Sequence, residues 1–317
     1  MNFENLNKLY DSNNKEDLLQ FWQSFKNFNE IISFIRNRPE PSISLHFKNA
    51  DALKDIIFVV PVPDMNNYVE KYIQNFKNYF IIFVESRGPY FNFSKSMNKG
   101  IEEALKFNPN WIALSNLDIT PLDDTSILRE ILYKQSPGIF IPRIISENKK
   151  VIDKICIIPY GILINYIFKN LQFISKKLPL YYQGNFFISS LKINDIDKIF
   201  KYITINKYYK INKNFSFNLK DIYLKLKIKK SICFKNIQPL SFIHSSIIRK
   251  YRFDEDFING GEDTELSIRM VKNGEIFKDL DLYFKTKSGA FLGNNEVRFL
   301  KNSILEKLLL GIKLKKY

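Results

Sequence analysis

The stretch Asp55-Ile-Ile-Phe-Val-Val-Pro61 decides the fold class that we predict for this chain. Its unbroken apolar run is typical of a strand that is buried on both faces of a parallel sheet. Two further strands are predicted over 79–85 and 111–117, and helices over 68–78 and 94–107 separate the three strands. This alternation predicts an α/β fold with a mostly parallel sheet flanked by helices.

The chain divides into three predicted parts. Residues 1–50 are expected to form a helical N-terminal extension, because apolar side chains recur there at three- and four-residue steps. Residues 51–290 form the main domain, in which 146–240 is a variable region that is rich in lysine, tyrosine and isoleucine. Residues 291–317 are expected to form a basic amphipathic C-terminal helix, which either lies at a membrane surface or packs on its own domain.

Charge narrows the range of partners. The 317 residues include 48 Lys and Arg against 33 Asp and Glu, which gives a formal net charge of +15. Such a balance favours anionic partners, namely nucleic acid, phosphorylated substrates or an acidic membrane surface. The lysine-rich stretch 198–230 is interpreted as a solvated basic face, with binding of an anionic molecule or a lipid headgroup as the alternative.

Cysteine and histidine are too scarce for several kinds of site. Cys156 and Cys233 are interpreted as buried thiols in a reducing compartment. Only His46 and His244 are present, which argues against histidine-rich metal sites and most histidine-based catalysis, and His244 is interpreted as a core or cleft residue. The sequence shows no secretory signal and no apolar run long enough to span a bilayer, so a cytoplasmic protein is expected.

A carboxylate follows the third predicted strand. The run Trp111-Ile-Ala-Leu-Ser-Asn-Leu-Asp118 places Asp118 just beyond a buried strand, where ligands bind in open α/β sheets. Asp118 is suited to Mg²⁺ or Mn²⁺ holding a diphosphate, since these cations prefer carboxylate and phosphate oxygens. The alternative is that Asp118 only caps the turn before Pro121.

The second candidate segment is Phe253-Asp-Glu-Asp-Phe-Ile-Asn-Gly-Gly-Glu-Asp-Thr-Glu-Leu266. Its Gly260-Gly261 pair allows a tight turn or the close approach of a ligand to the backbone. Glu262 and Asp263 then fall in the first turn of a predicted helix, where the helix dipole alone favours acids. The density of acids is nevertheless unusual on so basic a chain, and adjacent carboxylates can provide a general base.

In their order along the chain, these features resemble the GT-A-fold, family-2-type nucleotide-sugar glycosyltransferases. The shared pattern comprises the strands above, an Asn-x5-Asn-x-Gly helix that begins near Asn92, the carboxylate after a strand, and the stretch that begins at Phe253. It covers roughly residues 55–120 and 240–275, and the later part is the more specific. The resemblance implies a GT-A (Rossmann-like) fold and a hexosyltransferase of the kind used in polysaccharide biosynthesis. Its donor would be a nucleoside-diphosphate sugar of UDP or GDP type, and its acceptor a glycan or lipid-linked hydroxyl.

The resemblance also implies a role for each matching position. Asp263 would be the general base that deprotonates the acceptor, Glu262 would orient the acceptor or the base, and Asp118 would bind the metal ion, Mn²⁺ or Mg²⁺. A base on the side opposite the leaving diphosphate implies a single displacement with inversion at the anomeric carbon. The positions that would bind the donor are Pro61, Glu85, Asn92, Lys95, Asn98, Asn116 and Asp118.

The sequence departs from the family pattern in the region that would bind the metal. Asn116 stands at the first acid of the family's Asp-x-Asp motif, and the stretch 283–290 has no histidine where the family often has a metal ligand. Glu85 stands where the family usually has an Asp that contacts the base or ribose. Lys285 or Lys287 would then be the groups that neutralise the diphosphate.

Two other functions are compatible with parts of the sequence. The departures favour a catalytically silent GT-A-like domain that binds nucleotide or glycan in a larger assembly, whereas the intact Glu262-Asp263 pair disfavours it. A nucleic-acid-binding protein is suggested by charge and aromatic content alone, and no nucleic-acid motif supports it, so no nucleic acid is expected as a partner. If the C-terminal helix meets a membrane, the contact would be peripheral and on the inner face.

Overall fold

A computed structural model of the chain describes residues 2–25, 28–88, 90–146, 151–152, 155–159, 181–183, 186–188, 232–287, 301–302, 305–306, 309–310 and 313. The chain forms two compact units. The first comprises Met1–Arg38, Ile155–Phe234 and Asn295–Tyr317, and the second comprises Pro39–Lys154 and Lys235–Asn294. Most of the predicted variable region, 146–240, lies outside the described residues.

The described helices are α1 (Phe3–Asp11), α2 (Lys15–Gln23), α3 (Phe28–Arg36), α4 (Asn67–Asn75), α5 (Phe93–Lys106), α6 (Leu128–Tyr133), α7 (Ser245–Ile248) and α8 (Glu262–Lys272). The described strands are β1 (Ser42–Lys48), β2 (Ile56–Val62), β3 (Phe80–Arg87), β4 (Trp111–Ser115), β5 (Thr120–Pro121), β6 (Ile139–Ser146), β7 (Val151–Ile152), β8 (Ile155–Pro159), β9 (Tyr181–Gln183), β10 (Phe186–Ile188), β11 (Ile232–Phe234), β12 (Leu240–His244) and β13 (Phe277–Thr286). The α/β class is therefore confirmed, and the strands and helices predicted between 55 and 117 lie within a few residues of their observed bounds.

The second unit contains a mixed sheet. Among the described residues it has nine strands, eight of them in the order β1-β3-β2-β4-β12-β6-β13-β5, with β7 paired to β6 beside this row. Neighbours are parallel at β3-β2, β2-β4 and β6-β13, and antiparallel at the other pairings. The prediction of a mostly parallel sheet is therefore wrong for the sheet as a whole.

The position of β12 explains this difference. β12 lies between β4 and β6 and is antiparallel to both. Five strands, β2, β3, β4, β6 and β13, nevertheless run in one direction, so their carboxyl ends share one edge of the sheet, which we call the carboxyl edge. β12 begins at this edge, because Leu240 pairs with Ser115 at the end of β4.

The close packing of α5 on the sheet depends on a glycine. Alternate residues of β2 belong to two separate core clusters, as expected for a strand buried on both faces. A Cβ atom on Gly100 of α5 would lie 2.4 Å from Val59 Cγ1 and 2.6 Å from Val84 Cγ2. The glycine of the Asn-x5-Asn-x-Gly pattern is therefore required by the approach of the helix to β2 and β3.

The first unit packs its C-terminal segment against its N-terminal helices. Lys301 is fully buried, and its Nζ donates hydrogen bonds to the carbonyl oxygens of Leu9 at 2.6 Å and Ser12 at 2.8 Å. The described positions of this segment are helical, and the leucines among them are buried: Leu305, Leu309 and Leu310. These three leucine side chains thus pack within the protein. Of the helices described, none has both the length and the apolar character needed to cross a bilayer.

The helical part of the N-terminal extension ends earlier than predicted. α3 stops at Arg36, and residues 42–48, which the prediction places in the helical extension 1–50, form the edge strand β1 instead. β1 pairs antiparallel with β3 along its whole length. The alternating apolar residues of this short segment fit a half-buried strand better than a helix.

Candidate functional site

Four of the sequence-predicted residues lie at the carboxyl edge of the sheet. Pro61 lies near the end of β2, and Glu85 lies near the end of β3. Asn116 and Asp118 follow β4, and Thr286 ends β13. Because ligands of open α/β sheets bind at the carboxyl ends of the strands, this edge is the candidate site.

Asp118 is held by the end of β13. Thr286 Oγ1 donates to Asp118 Oδ2 at 2.7 Å, and the backbone N–H of Lys287 donates to the same oxygen at 3.0 Å. Thr286 is buried and Asp118 is half-buried. The stretch 283–290, where the family often has a metal-binding histidine, thus contacts Asp118 through Thr286 and a backbone amide. The predicted cations Lys285 and Lys287 flank Thr286.

Asp263 lies in the first turn of α8, and both of its carboxylate oxygens are engaged. The backbone N–H of Thr264 donates to Oδ1 at 2.7 Å, and Asn236 Nδ2 donates to Oδ2 at 2.6 Å. Burial raises the pKa of Asp263 above its ordinary value, and these two hydrogen bonds oppose part of that rise by favouring the charged form. A carboxylate with a raised pKa is a stronger proton acceptor, which suits a general base.

The chain enters α8 through two glycines in conformations that other residues rarely adopt. Gly260 has φ 122° and Gly261 has φ 84°. The side chain of Glu262 is buried and accepts a hydrogen bond from the backbone N–H of Gly260, so it closes this turn. The predicted site residue Glu262 therefore has a structural contact that fixes the start of α8 and with it Asp263.

A second contact of α8 fastens the helix to the preceding loop. Arg269 donates from two nitrogens to the carboxylate of Glu265, at 3.0 and 2.9 Å, and Glu265 is almost completely buried. Arg269 also donates to the backbone oxygen of Arg252 at 2.6 Å. Because Arg269 compensates the buried charge of Glu265, packing rather than chemistry explains this member of the acidic segment.

The predicted donor residues Asn92 and Asn98 both contact the loop that leads to α8. Asn98 Nδ2 donates to the backbone oxygen of Phe253 at 3.0 Å and to Glu255 Oε1 at 2.9 Å, while Asn98 Oδ1 accepts from the Phe253 N–H at 2.8 Å. Asn92 Oδ1 caps α5 by accepting from the Lys95 N–H at 2.9 Å, and Asn92 Nδ2 donates to the backbone oxygen of Glu255 at 3.0 Å. We call Asn92 and Asn98 the asparagine clasp, since they join α5 to this loop.

The other predicted donor residues also have partners in the second unit. Lys95 Nζ lies 2.6 Å from Glu40 Oε1, an ion pair in which the glutamate is exposed. Glu85 Oε2 lies 2.7 Å from His46 Nε2 on the neighbouring strand β1. Pro61 pairs with Val84 across β2 and β3. The sequence predicts none of these three contacts.

The loop 236–239 connects Asp263 with the end of β4. Asn236, which binds Asp263, also accepts a hydrogen bond from the Gln238 N–H at 3.4 Å. The carbonyl oxygen of Pro239 accepts from the Asn116 N–H at 2.8 Å. Sequence reasoning missed this loop, because Asn236 lies 27 residues before Asp263 and no local pattern marks it.

The donor set at Asp118 does not fit a conventional Mg²⁺ or Mn²⁺ site. Within the described ranges, no group of three or more His, Cys, Asp or Glu side chains is placed to hold a metal ion. Asn116 contributes no charge, and Asp118 Oδ2 already accepts two hydrogen bonds. Hard divalent cations usually take several oxygen ligands, so Asp118 would need oxygens from the substrate or from water to complete a site.

His244 lies away from the carboxyl edge. It ends β12 and pairs with Trp111 at the start of β4, with ring centroids 5.0 Å apart. Its Nδ1 lies 2.8 Å from Ser246 Oγ, and burial lowers the pKa of His244. His244 is half-buried, and its interpretation as a core or cleft histidine stays a prediction. The lysine-rich stretch 198–230 and the side chains of the two cysteines lie outside the described residues.

Comparison with known proteins adds no family to this description. No protein-family model matches the chain, and no curated protein is significantly similar to it.

Proposed function

We propose that the chain is an inverting glycosyltransferase of the GT-A type, which transfers a sugar from a nucleoside diphosphate to a hydroxyl group of a glycan or lipid-linked acceptor. One observation carries the proposal. The loop 236–239 is hydrogen-bonded to Asp263 through Asn236 and to the backbone N–H of Asn116 through Pro239, so it joins the candidate base to the segment that carries Asp118. A base with a raised pKa, joined by one loop to the segment that carries an acid at the sheet edge, is an arrangement that suits proton abstraction beside a bound donor.

In the proposed reaction, Asp263 Oδ1 or Oδ2 takes the proton of the acceptor hydroxyl. The acceptor oxygen forms a bond to the anomeric carbon as the bond from that carbon to the diphosphate oxygen breaks. The bonding electron pair leaves with the nucleoside diphosphate, and attack from the opposite side inverts the configuration. Asp263 is held by Asn236 and Thr264 before substrate arrives, so little reorganisation is needed at the base.

The charge of the diphosphate has to be balanced near Asp118. A carboxylate and a diphosphate repel each other, so a cation must lie between them. Lys287, whose backbone contacts Asp118, and Lys285, two residues before it, are the protein's candidates for this charge. A divalent cation that enters with the donor is the alternative, and a titration with and without metal separates the two.

A catalytically silent domain that binds a nucleotide or a glycan is the second candidate function. It is favoured by the structural contacts of Asn92, Asn98 and Glu262, since these side chains are used to build the loop before α8. If the chain is instead a transferase, its activity depends on Asp118 and Asp263. Substitution of each one distinguishes a transferase from a binding domain.

The test begins with calorimetric titration of the full chain with UDP and GDP, with and without Mn²⁺. We expect one diphosphate to bind, and any part of this binding that depends on Mn²⁺ to be weakened at least about tenfold in Asp118→Ala. Binding that is equal without Mn²⁺ would assign the charge to Lys285 or Lys287. Glu130→Gln is the matched control, because Glu130 is an exposed acid on α6 that forms a surface ion pair with Lys134.

Turnover then separates the transferase from the silent domain. With the sugar nucleotide of the base that binds, Asp263→Asn should lower release of the diphosphate by about 10²-fold or more, a typical contribution of a general base, while donor affinity is unchanged. Near-normal turnover of this variant would contradict the assignment of the base. Binding without any turnover in the wild-type chain would favour the silent domain.

A further inference from the structure

Gln238 carries a buried side-chain amide for which the described part of the chain offers no hydrogen-bond partner. The residue is 8% exposed, and neither its Oε1 nor its Nε2 has a partner among the residues that the structure describes. Buried polar side chains are normally hydrogen-bonded, so an amide of this kind needs an explanation.

The location of Gln238 supplies one. Its backbone N–H is bound to Asn236, the partner of Asp263, and the next residue, Pro239, is bound to the backbone of Asn116. Gln238 therefore lies between the segment that holds the candidate base and the segment that holds Asp118. In the proposed reaction, the acceptor hydroxyl is at Asp263 and the diphosphate is on the side of Asp118, so the transferred sugar occupies the space between them.

We propose that Gln238 binds hydroxyl groups of the sugar that the donor carries, and so helps to select that sugar. The inference rests on the proposed function and deepens it. A primary amide offers two N–H donors and one acceptor oxygen side by side, and neighbouring sugar hydroxyls offer acceptors and donors at matching spacing. The amide atoms are shielded from solvent in the free protein, and the rotatable bonds of the glutamine side chain allow it to turn toward a bound sugar without a backbone movement.

Other unpartnered polar atoms lie along the same edge. Within the described part of the second unit, further buried side-chain oxygens of this kind include Asp64 Oδ1, Ser86 Oγ and Ser241 Oγ. Asp64 follows β2, Ser86 is near the end of β3, and Ser241 is the second residue of β12. Polar atoms left without partners at the carboxyl edge are expected where a polar ligand completes their hydrogen bonds.

The test compares Gln238→Met with Gln74→Met, the same substitution at an exposed glutamine of α4. UDP and GDP are titrated into each full-length variant, alone and as their hexose conjugates. We expect the wild-type chain and Gln74→Met to bind one hexose conjugate more tightly than the free diphosphate, and Gln238→Met to lose about tenfold in affinity for the conjugate only. Thermal unfolding of ligand-free Gln238→Met should occur at or above the wild-type midpoint, since no hydrogen bond is removed.

The possible failures are distinguishable. If Gln238→Met keeps the wild-type preference for the hexose conjugate, or if its unfolding midpoint falls by several degrees, the inference is wrong while the proposed function stands. If the wild-type chain binds neither diphosphate nor any conjugate, the proposed function is wrong and the inference falls with it.

Discussion

Replacing Asn98 by alanine tests whether this residue builds the site or binds the donor. The side chain makes three hydrogen bonds to the loop before α8, two of them to the backbone N–H and C=O of Phe253 at 2.8 and 3.0 Å. Phe253 is 2% exposed, so water cannot replace these bonds without opening the loop. In Asn98→Ala the two backbone groups stay buried without these partners, and each such group costs about 1–3 kcal/mol.

The expected loss of stability is therefore about 2–4 kcal/mol, after allowance for partial relaxation of the loop. The third bond, to the exposed Glu255, adds little. The assay is urea unfolding of the full chain, followed by fluorescence, with Lys99→Ala as the matched control. Lys99 is the next residue of α5, its side chain is 47% exposed, and its contact with Glu102 is a surface ion pair. Its substitution should change stability by less than about 0.5 kcal/mol.

Two results would refute the reasoning. If Asn98→Ala unfolds at the same urea concentration as Lys99→Ala, the clasp contributes nothing and the contacts to Phe253 are incidental. If Asn98→Ala is as stable as wild type but loses affinity for the nucleoside diphosphate, Asn98 acts on the donor directly, as the family resemblance implies. A loss of both properties, with donor affinity restored when the loop is stabilised by osmolyte, would support the structural role.

Two further predictions concern the packing of α5 and the environment of the base. Gly100→Ala should destabilise the chain by about 1–3 kcal/mol in the same urea assay, despite the better helix propensity of alanine, because its methyl group would overlap the sheet; a stability equal to wild type would contradict the packing. Asn236→Ala should move the acidic limb of the pH–rate profile to higher pH. Burial raises the pKa of Asp263, and the hydrogen bond from Asn236 offsets part of that rise. Without this bond the pKa of Asp263 rises further, so the base is deprotonated only at higher pH. An unchanged limb would show that Asn236 does not act on the base.

The sheet shows which features the sequence can predict. β2, β3 and β4 were predictable because each is a short apolar run bounded by polar turn residues, and both properties are local. The pairing of β12 was not, because the run Leu240-Ser-Phe-Ile-His244 gives no indication of its neighbours or its direction. Inserted between β4 and β6, it converts a parallel arrangement into a mixed sheet. Local pattern thus identified the strands, and long-range pairing decided the topology.

The candidate site also combines residues that the sequence predicts with residues that only the folded chain reveals. Asp263 was predictable because Gly260, Gly261 and the helix that follows form one continuous segment. Asn236 was not, because its contact with Asp263 depends on how a distant loop is folded against α8. The asparagine clasp is intermediate: its spacing on α5 is visible in the sequence, but the partners of both side chains lie in a loop more than 150 residues away along the chain.

Asn236 couples the candidate base to the proposed sugar contact, and a comparison of two substitutions tests this coupling. One end of its amide donates to Asp263, and the other end accepts from the backbone of Gln238, so a single side chain supports both the base and the proposed sugar contact. Asp263→Asn alters proton transfer but keeps a side chain of the same shape, and it should leave sugar selection intact. Asn236→Ala removes both supports, and should therefore weaken discrimination between hexose conjugates as well as shift the pH dependence. If Asn236→Ala affected only the pH dependence, the base and the loop would be positioned independently, and the coupling inferred from these two hydrogen bonds would be absent.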